Sequence, residues 1–215
     1  MSVSSYRRLS DLPGRIAIFP LAGAMLFPRW TLSLNIFEPR YLNMIDDAMN
    51  GSRMIGMVQS MGGDKAVPDV ARVGCAGRIT SYSETDDGRY LIVLNGICRF
   101  EVRECPDIST PYRQADPDWS PFESDLTPPS VTDLPSRTVL IDALQTYVAG
   151  HGMSADWSAM EDAPIETLIN ALSASCPFST MEKQALMEAA SVRERAETLI
   201  ALLQMDLPGD SGQIQ

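Results

Sequence analysis

The chain is 215 residues long, 45% hydrophobic and strongly acidic, with 17 Lys and Arg against 28 Asp and Glu, a net charge of −11 and a pI near 4.5. A balance of that sign opposes the nucleic-acid backbone, whose capture rests on Lys and Arg, and no run approaches the roughly 18 apolar residues of a membrane helix. The length suits one large domain or two small ones, each with its own core. Residues 1–113 carry 13 basic against 12 acidic side chains, residues 114–182 carry 1 against 11, and residues 183–215 carry 3 against 5. The acidic middle segment reads as a solvated surface.

Arg7, Arg8 and Arg15 ahead of an apolar stretch, with Ala22-Gly23-Ala24 beyond, imitate a secretion signal. The apolar part runs only from Ile16 to Leu21 and contains Pro20, so a soluble cytoplasmic chain is expected. Ile16 to Leu21 reads as a short strand, apolar on both faces, that stops at Pro20 because proline has no amide to give a ladder. Thr31 to Phe37 puts Leu32, Leu34 and Ile36 on one face and Thr31, Ser33 and Asn35 on the other, the pattern of a half-buried strand. Glu38-Pro39 then opens a helix with Tyr41, Met44, Ile45 and Ala48 at helical spacing, ended at Gly51.

Met54 to Gln59 reads as a strand, and Gly62-Gly63 opens a polar loop to about Asp69. Arg72 to Glu84 and Arg89 to Cys105 are long strands around an Asp86-Asp87-Gly88 hairpin. Gly74, Gly77 and Gly96 mark bulges or bends that let a sheet curl. Tyr112 to Ala115 adds a last edge strand. With the turn at Asp86-Asp87, Cys75 and Cys98 fall opposite each other, which leaves a disulfide open against a default of buried free thiols. Cys75, Cys98, Cys105 and Cys176 contain no CxxC pair and His151 is the single histidine, so no metal site is expected.

Pro117, Pro121, Pro128, Pro129 and Pro135 among Asp116, Asp118, Glu123, Asp125 and Asp133 predict an acidic linker over residues 116–135. Beyond it the period becomes helical. Leu140, Leu144, Tyr147 and Val148 form one stripe, and Ile165, Leu168, Ile169 and Leu172 form another. Ser179-Thr-Met-Glu182 and Ser191-Val-Arg-Glu194 are capping boxes opening two consecutive helices, and residues 208–215 read as a flexible tail. The fold class is therefore α+β: a curled, mostly antiparallel sheet of about six strands with one inserted helix over residues 1–115, the linker, then a bundle of about four helices over residues 136–207.

That order resembles the N-terminal substrate-binding domain of the Lon ATP-dependent protease family, over roughly Ile16 to Leu203. The matching pieces are Phe19-Pro20-Leu21 with Phe27-Pro28, Val93-Leu94-Asn95-Gly96-Ile97-Cys98-Arg99-Phe100, Glu182-Lys183-Gln184-Ala185-Leu186-Met187-Glu188, and Val192-Arg193-Glu194-Arg195. Ile36-Phe37-Glu38-Pro39-Arg40-Tyr41 is similar to free-standing members and to LON-RING proteins. The resemblance implies a PUA-like pseudo-barrel for the sheet half and recognition of unfolded or degradation-marked polypeptide for the whole. No GxxxxGK[ST] motif is present to cradle ATP, and the sequence stops where the family's ATPase and Ser-Lys peptidase domains would begin. Lys65 and Lys183, the only lysines, sit in a Gly-rich loop and a helix start, so neither catalysis nor a cofactor is expected.

For catalysis the sequence offers only Cys176 and His151, one before Pro177 in a turn and the other between two glycines. For binding it offers Phe27, Trp30, Phe37, Glu38, Arg40 and Tyr41, grouped around a loop and a helix start. Phe27 and Phe37 read first as seals of the core. Trp30 follows Arg29 at a strand start, a combination suited to a recognition surface. Arg40 opposes the helix dipole, so it is kept for a partner or for Glu38. Twelve methionines suit adaptable apolar binding or a Met-rich core. The expected function is a non-catalytic module for unfolded or apolar polypeptide segments, passing them to a separate protease or chaperone. No nucleic acid and no membrane are expected as partners. The alternative is a PUA-like small-ligand or RNA-modification accessory domain, and an unassigned hydrolase rests on Cys176 and His151 alone.

Overall fold

The long strand β5 organises the first half of the chain. The computed structural model describes residues 6–63, 68–105, 109–130 and 134–206, and the chain divides into two compact units, Met1–Pro128 and Pro129–Gln215. In the first, the elements are β1 (Ile16–Pro20), β2 (Thr31–Ile36), α1 (Pro39–Asn50), β3 (Met54–Gly63), β4 (Pro68–Glu84), β5 (Tyr90–Glu104) and β6 (Gln114–Asp118). The strand order is β2-β5-β4-β3-β1-β6, with β6 also pairing β5. One edge of β5 is taken by β4. The other carries β2 along Tyr90–Asn95 and β6 along Glu101–Glu104. The sheet therefore closes through β6, and β2 hangs beside the closure. All pairs are antiparallel except β1 with β3.

The alternation expected in β2 is present, with Thr31, Ser33 and Asn35 exposed and Ile36 buried. In α1 the buried residues are Tyr41, Met44, Ile45 and Ala48, and the cap is Gly51. Curling requires close backbone approach at two glycines. A Cβ on Gly96 would lie 1.9 Å from the Phe27 carbonyl oxygen, and one on Gly74 2.4 Å from that of Met57, so no side chain fits either bend. The interior is filled by Ile18, Leu26, Phe27, Ile55, Leu94 and Phe100, all fully buried.

Four expectations are corrected. β3 runs on through Gly62 and Gly63, which pair with Asp69 and Pro68, so the ladder outlasts the apolar run; residues 64–67 of the expected loop lie outside the described residues. The last strand is not an edge: β6 pairs β1 on one side and β5 on the other. Cys75 pairs with Arg99, and Cys98 with Ala76. This β4–β5 register is one residue away from the one that a turn centred between Asp86 and Asp87 gives, and a one-residue slip turns a side chain to the opposite face; none of the four cysteines is in a disulfide.

The fourth correction concerns residues 116–135. Residues up to Asp118 belong to β6, and Ser120–Leu126 form a 3-10 helix. Asp125 anchors that helix: its carboxylate accepts from the Arg99 amide at 3.0 Å, from Nε at 2.8 Å and from a terminal guanidinium nitrogen at 2.9 Å. The Arg99 guanidinium also lies 4.4 Å from the centre of the Phe122 ring. Composition marked this stretch as solvated because the partner that makes Asp125 tolerable inside is 26 residues away. Residues 131–133 lie outside the described residues.

The second unit holds α2 (Arg137–Gly150), α3 (Trp157–Glu161), α4 (Ile165–Ser175), α5 (Thr180–Glu188) and α6 (Val192–Met205). Its core contains Leu140, Leu144, Tyr147, Leu168, Ile169, Leu186, Leu199 and Leu203. The one-turn helix α3 carries too short a period to read from sequence. At α5 the capping box is complete: Ser179 Oγ accepts from the Glu182 amide, and the Glu182 carboxylate accepts from the Ser179 amide at 2.7 Å. At α6 it is displaced. Ser191 Oγ accepts from the Glu194 amide at 3.1 Å, while the Glu194 carboxylate takes the amide of Ala190. The expected tail, residues 208–215, lies outside the described residues.

Candidate functional site

The closure of the sheet is incomplete beside β2. β6 covers β1 only at Ile16 and Ala17, with one more bond from the Ile18 amide to the Arg113 carbonyl. The remaining half of β1 and the following turn, Phe19 to Ala22, face Leu34 to Phe37 across a groove of about 610 Å³, whose other lining residues are Glu38, Arg40, Tyr41 and Ser60.

The start of α1 builds one wall. Pro39 occupies the first turn, where its missing amide costs nothing, and the helix turns Tyr41 inward to stack on Phe19 at 4.3 Å with the rings tilted by 47°. Burial pushes the Tyr41 hydroxyl above its ordinary range, so it stays a neutral wall. Arg40 lies with its guanidinium 4.6 Å from the centre of the Tyr41 ring and 2.9 Å from the Glu38 carboxylate. That pairing answers the question of an arginine at a helix start: the anion favoured there is Glu38, and Arg40 rests between it and the ring. Phe37, between β2 and α1, is 62% exposed.

Of the six residues expected to bind, Phe37, Glu38, Arg40 and Tyr41 come together on this groove. Phe27 is fully buried in the barrel interior. Trp30 is half-buried beyond the groove lining and closes a turn in which its amide donates to the Phe27 carbonyl at 3.1 Å. Arg29, inside that turn, takes a positive φ of 60°. Phe19, Leu21, Leu34 and Ile36, also on the groove, look in the sequence like ordinary strand positions. The usable signal was Pro20, which marks where β1 leaves the ladder and can line an opening.

The candidate catalytic pair lacks an activated thiol. Burial pushes the Cys176 thiol up to about 11, which starves it of the thiolate that nucleophilic attack needs. The His151 ring stacks on Tyr147 at 4.3 Å and sits 3.5 Å from the Asp206 carboxylate. Among the described residues no cluster of His, Cys, Asp and Glu could hold a metal ion, and no helix is long and apolar enough to cross a membrane.

Residues 15–205 match the family model of the ATP-dependent protease La (LON) substrate-binding domain. The chain is 27% identical over 214 residues to Lon protease of Flavobacterium johnsoniae, covering 93% of this chain and 26% of that protein. It is 26% identical over 199 residues to Lon protease of Parabacteroides distasonis, covering 87% and 23%. It thus spans about a quarter of the length of these curated relatives. Among solved structures, a Lon N-terminal domain protein from Xanthomonas campestris superposes with a TM-score of 0.60 at 22% identity, over 87% of this chain and 97% of that one. The N-terminal domain of Lon protease from the Mycobacterium avium complex gives 0.59 at 12% identity, over 90% and 100%. These two share the α+β fold. With the family model covering nearly the whole chain, the protein belongs to the LON substrate-binding domain family.

Proposed function

We propose that this chain is a non-catalytic polypeptide-binding module that takes unfolded or degradation-marked segments in the groove between β1 and β2 and presents them to a separate protease or chaperone. The observation that carries the reading is Phe37: a phenylalanine 62% exposed at the groove, beside walls made of Phe19, Leu21, Leu34 and Tyr41. Burying such a side chain against a partner is worth about 1.5–3 kcal/mol, and an aromatic on a concave apolar surface is the usual anchor of a protein contact. Membership of a substrate-binding domain family supports the same reading. The acidic balance speaks against the RNA-accessory alternative.

The test is fluorescence anisotropy with a permanently unfolded, labelled polypeptide. Phe37→Ala should weaken binding about tenfold with an unchanged melting temperature, since the ring supports little of the core. Trp30→Ala should leave affinity as it is, because Trp30 lies off the groove. Unchanged binding by Phe37→Ala, or a salt-sensitive shift of RNA by the wild-type protein, would replace this reading.

A further inference from the structure

One side of the groove is formed by β2, a strand at the end of the sheet order, and the backbone of that strand specifies the shape of what enters. Gly96 donates to the Trp30 carbonyl at 2.8 Å, and β2 then pairs residue by residue from Thr31 with Asn95 to Ile36 with Tyr90. An antiparallel ladder alternates, so Leu32, Leu34 and Ile36 turn their amides and carbonyls toward β5, and Thr31, Ser33 and Asn35 turn theirs outward. Among the described residues β2 pairs with β5 alone.

Open edges of this kind are normally blunted by proline, lysine or a bulge. The facing end of β1 is blunted by Pro20. Thr31 to Ile36 contains no proline and no charge, and its register with β5 is unbroken. The two charged residues lining the groove, Glu38 and Arg40, are paired with each other at 2.9 Å, so the electrostatic complement of the walls is an uncharged segment.

We propose that the occupant is an extended, uncharged stretch of polypeptide that adds to the outer edge of β2 as a further strand, bonding to Ser33 and Asn35 and sending alternate side chains into the groove beside Phe37. A partner of this form satisfies the outward amides and carbonyls whatever its sequence, and the alternating pockets select apolar residues at every second position. The inference rests on the polypeptide-binding reading above and adds the conformation and register of the bound segment. About six residues, some 20 Å at roughly 3.4 Å each, match the length of β2.

The experiment uses the full chain and a labelled, end-capped peptide of about seven residues alternating leucine and serine, in three forms: unmodified, N-methylated at the odd positions, and N-methylated at the even positions. Strand addition requires one methylated form to lose about tenfold in affinity while the other stays within about twofold, since only one set of amides faces β2. On peptide binding the Ser33 and Asn35 amides gain protection from hydrogen exchange. Ser33→Pro, which removes an outward amide without touching the β5 ladder, reproduces the loss. Equal binding of both methylated forms overturns strand addition and leaves the groove reading intact. Protection of the same amides in concentrated protein without peptide, with a dimer mass, makes a second copy the occupant and overturns it too. Failure of every peptide and of unfolded polypeptide to bind sinks the functional reading itself.

Discussion

The two units place their arginines and lysines differently. In the sheet unit four arginines meet carboxylates: Arg15 with Asp116 at 2.7 Å, Arg72 with Glu101 at 2.7 Å, Arg103 with Asp118 at 2.5 Å and, buried, Arg99 with Asp125 at 2.8 Å. In the helical unit Lys183, Arg195 and Arg137 meet carbonyls. Lys183 reaches the Ala174 oxygen near the end of α4 at 3.2 Å, Arg195 reaches Leu186 near the end of α5 at 3.0 Å, and Arg137 donates to Met160 in α3 and to Ala163 beyond it. The carboxylates of that unit serve the opposite ends, as Glu182 and Glu194 do at the starts of α5 and α6.

The division follows the backbone. Ladders leave few main-chain groups in need, so side-chain charges pair across strands; each helix leaves four carbonyls at one end and four amides at the other, and those ends attract charge. The sheet unit obeys the same rule where it has a helix: Arg78 donates to the Ser52 carbonyl, just past α1, at 2.7 Å.

The largest effect that would sharpen this contrast is Asp125→Ala. Arg99 is 1% exposed along its side chain and Asp125 7%, so removing the carboxylate strands a buried cation and should cost about 3–5 kcal/mol in urea unfolding. Replacing both by Met and Leu should recover most of it. A cost below about 1 kcal/mol would mean the pair behaves like a surface bridge, and the contrast fails. Next is Arg195→Met, which keeps the stem but deprives the Leu186 carbonyl and the Asn170 Oδ1 of their donor. About 2 kcal/mol is expected, below the Asp125 value because no opposite charge is left behind; a loss equal to it would remove the distinction between the two kinds of partner.

Smaller again is the α5 cap. Ser179→Ala should cost about 1 kcal/mol. Its partner Glu182 is held below the ordinary glutamate range, chiefly by the Ser179 hydroxyl and then by the Ser179 amide. A depressed carboxylate stabilises the fold above its unfolded pKa of about 4.5, and the contribution is lost as pH falls through the lower folded value. Acid melts of the wild type should therefore show a downward step that Glu182→Gln lacks. The smallest change is Arg53→Gly. Arg53 has φ 59° after α1 and an exposed side chain, so glycine should stabilise by roughly 0.5 kcal/mol; a loss instead would show that its side chain holds the junction.

Several features were legible because they are local. Pro20 ends β1, Leu32, Leu34 and Ile36 alternate, Tyr41, Met44, Ile45 and Ala48 face inward from α1, and Ser179 with Glu182 caps α5. Period and capping depend on neighbours within a few positions, and the sequence carries those neighbours directly. The short order of motifs also sufficed for the family. Phe37, Glu38, Arg40 and Tyr41 were legible as a group because a strand-to-helix junction displays its side chains together.

Tertiary structure alone decided what depends on partners far along the chain. The Cys75 and Cys98 faces followed from a β4–β5 register one residue off the expected one. The burial of Asp125 followed from Arg99, and the groove exists because β6 stops short on β1 and leaves Phe19 to Ala22 opposite β2. Phe27 and Phe37 look alike in sequence, yet one is sealed inside the barrel and the other is 62% exposed. A side chain's chemistry is fixed by its residue, but its solvent is fixed by which strands meet around it, and that is a property of the closed sheet.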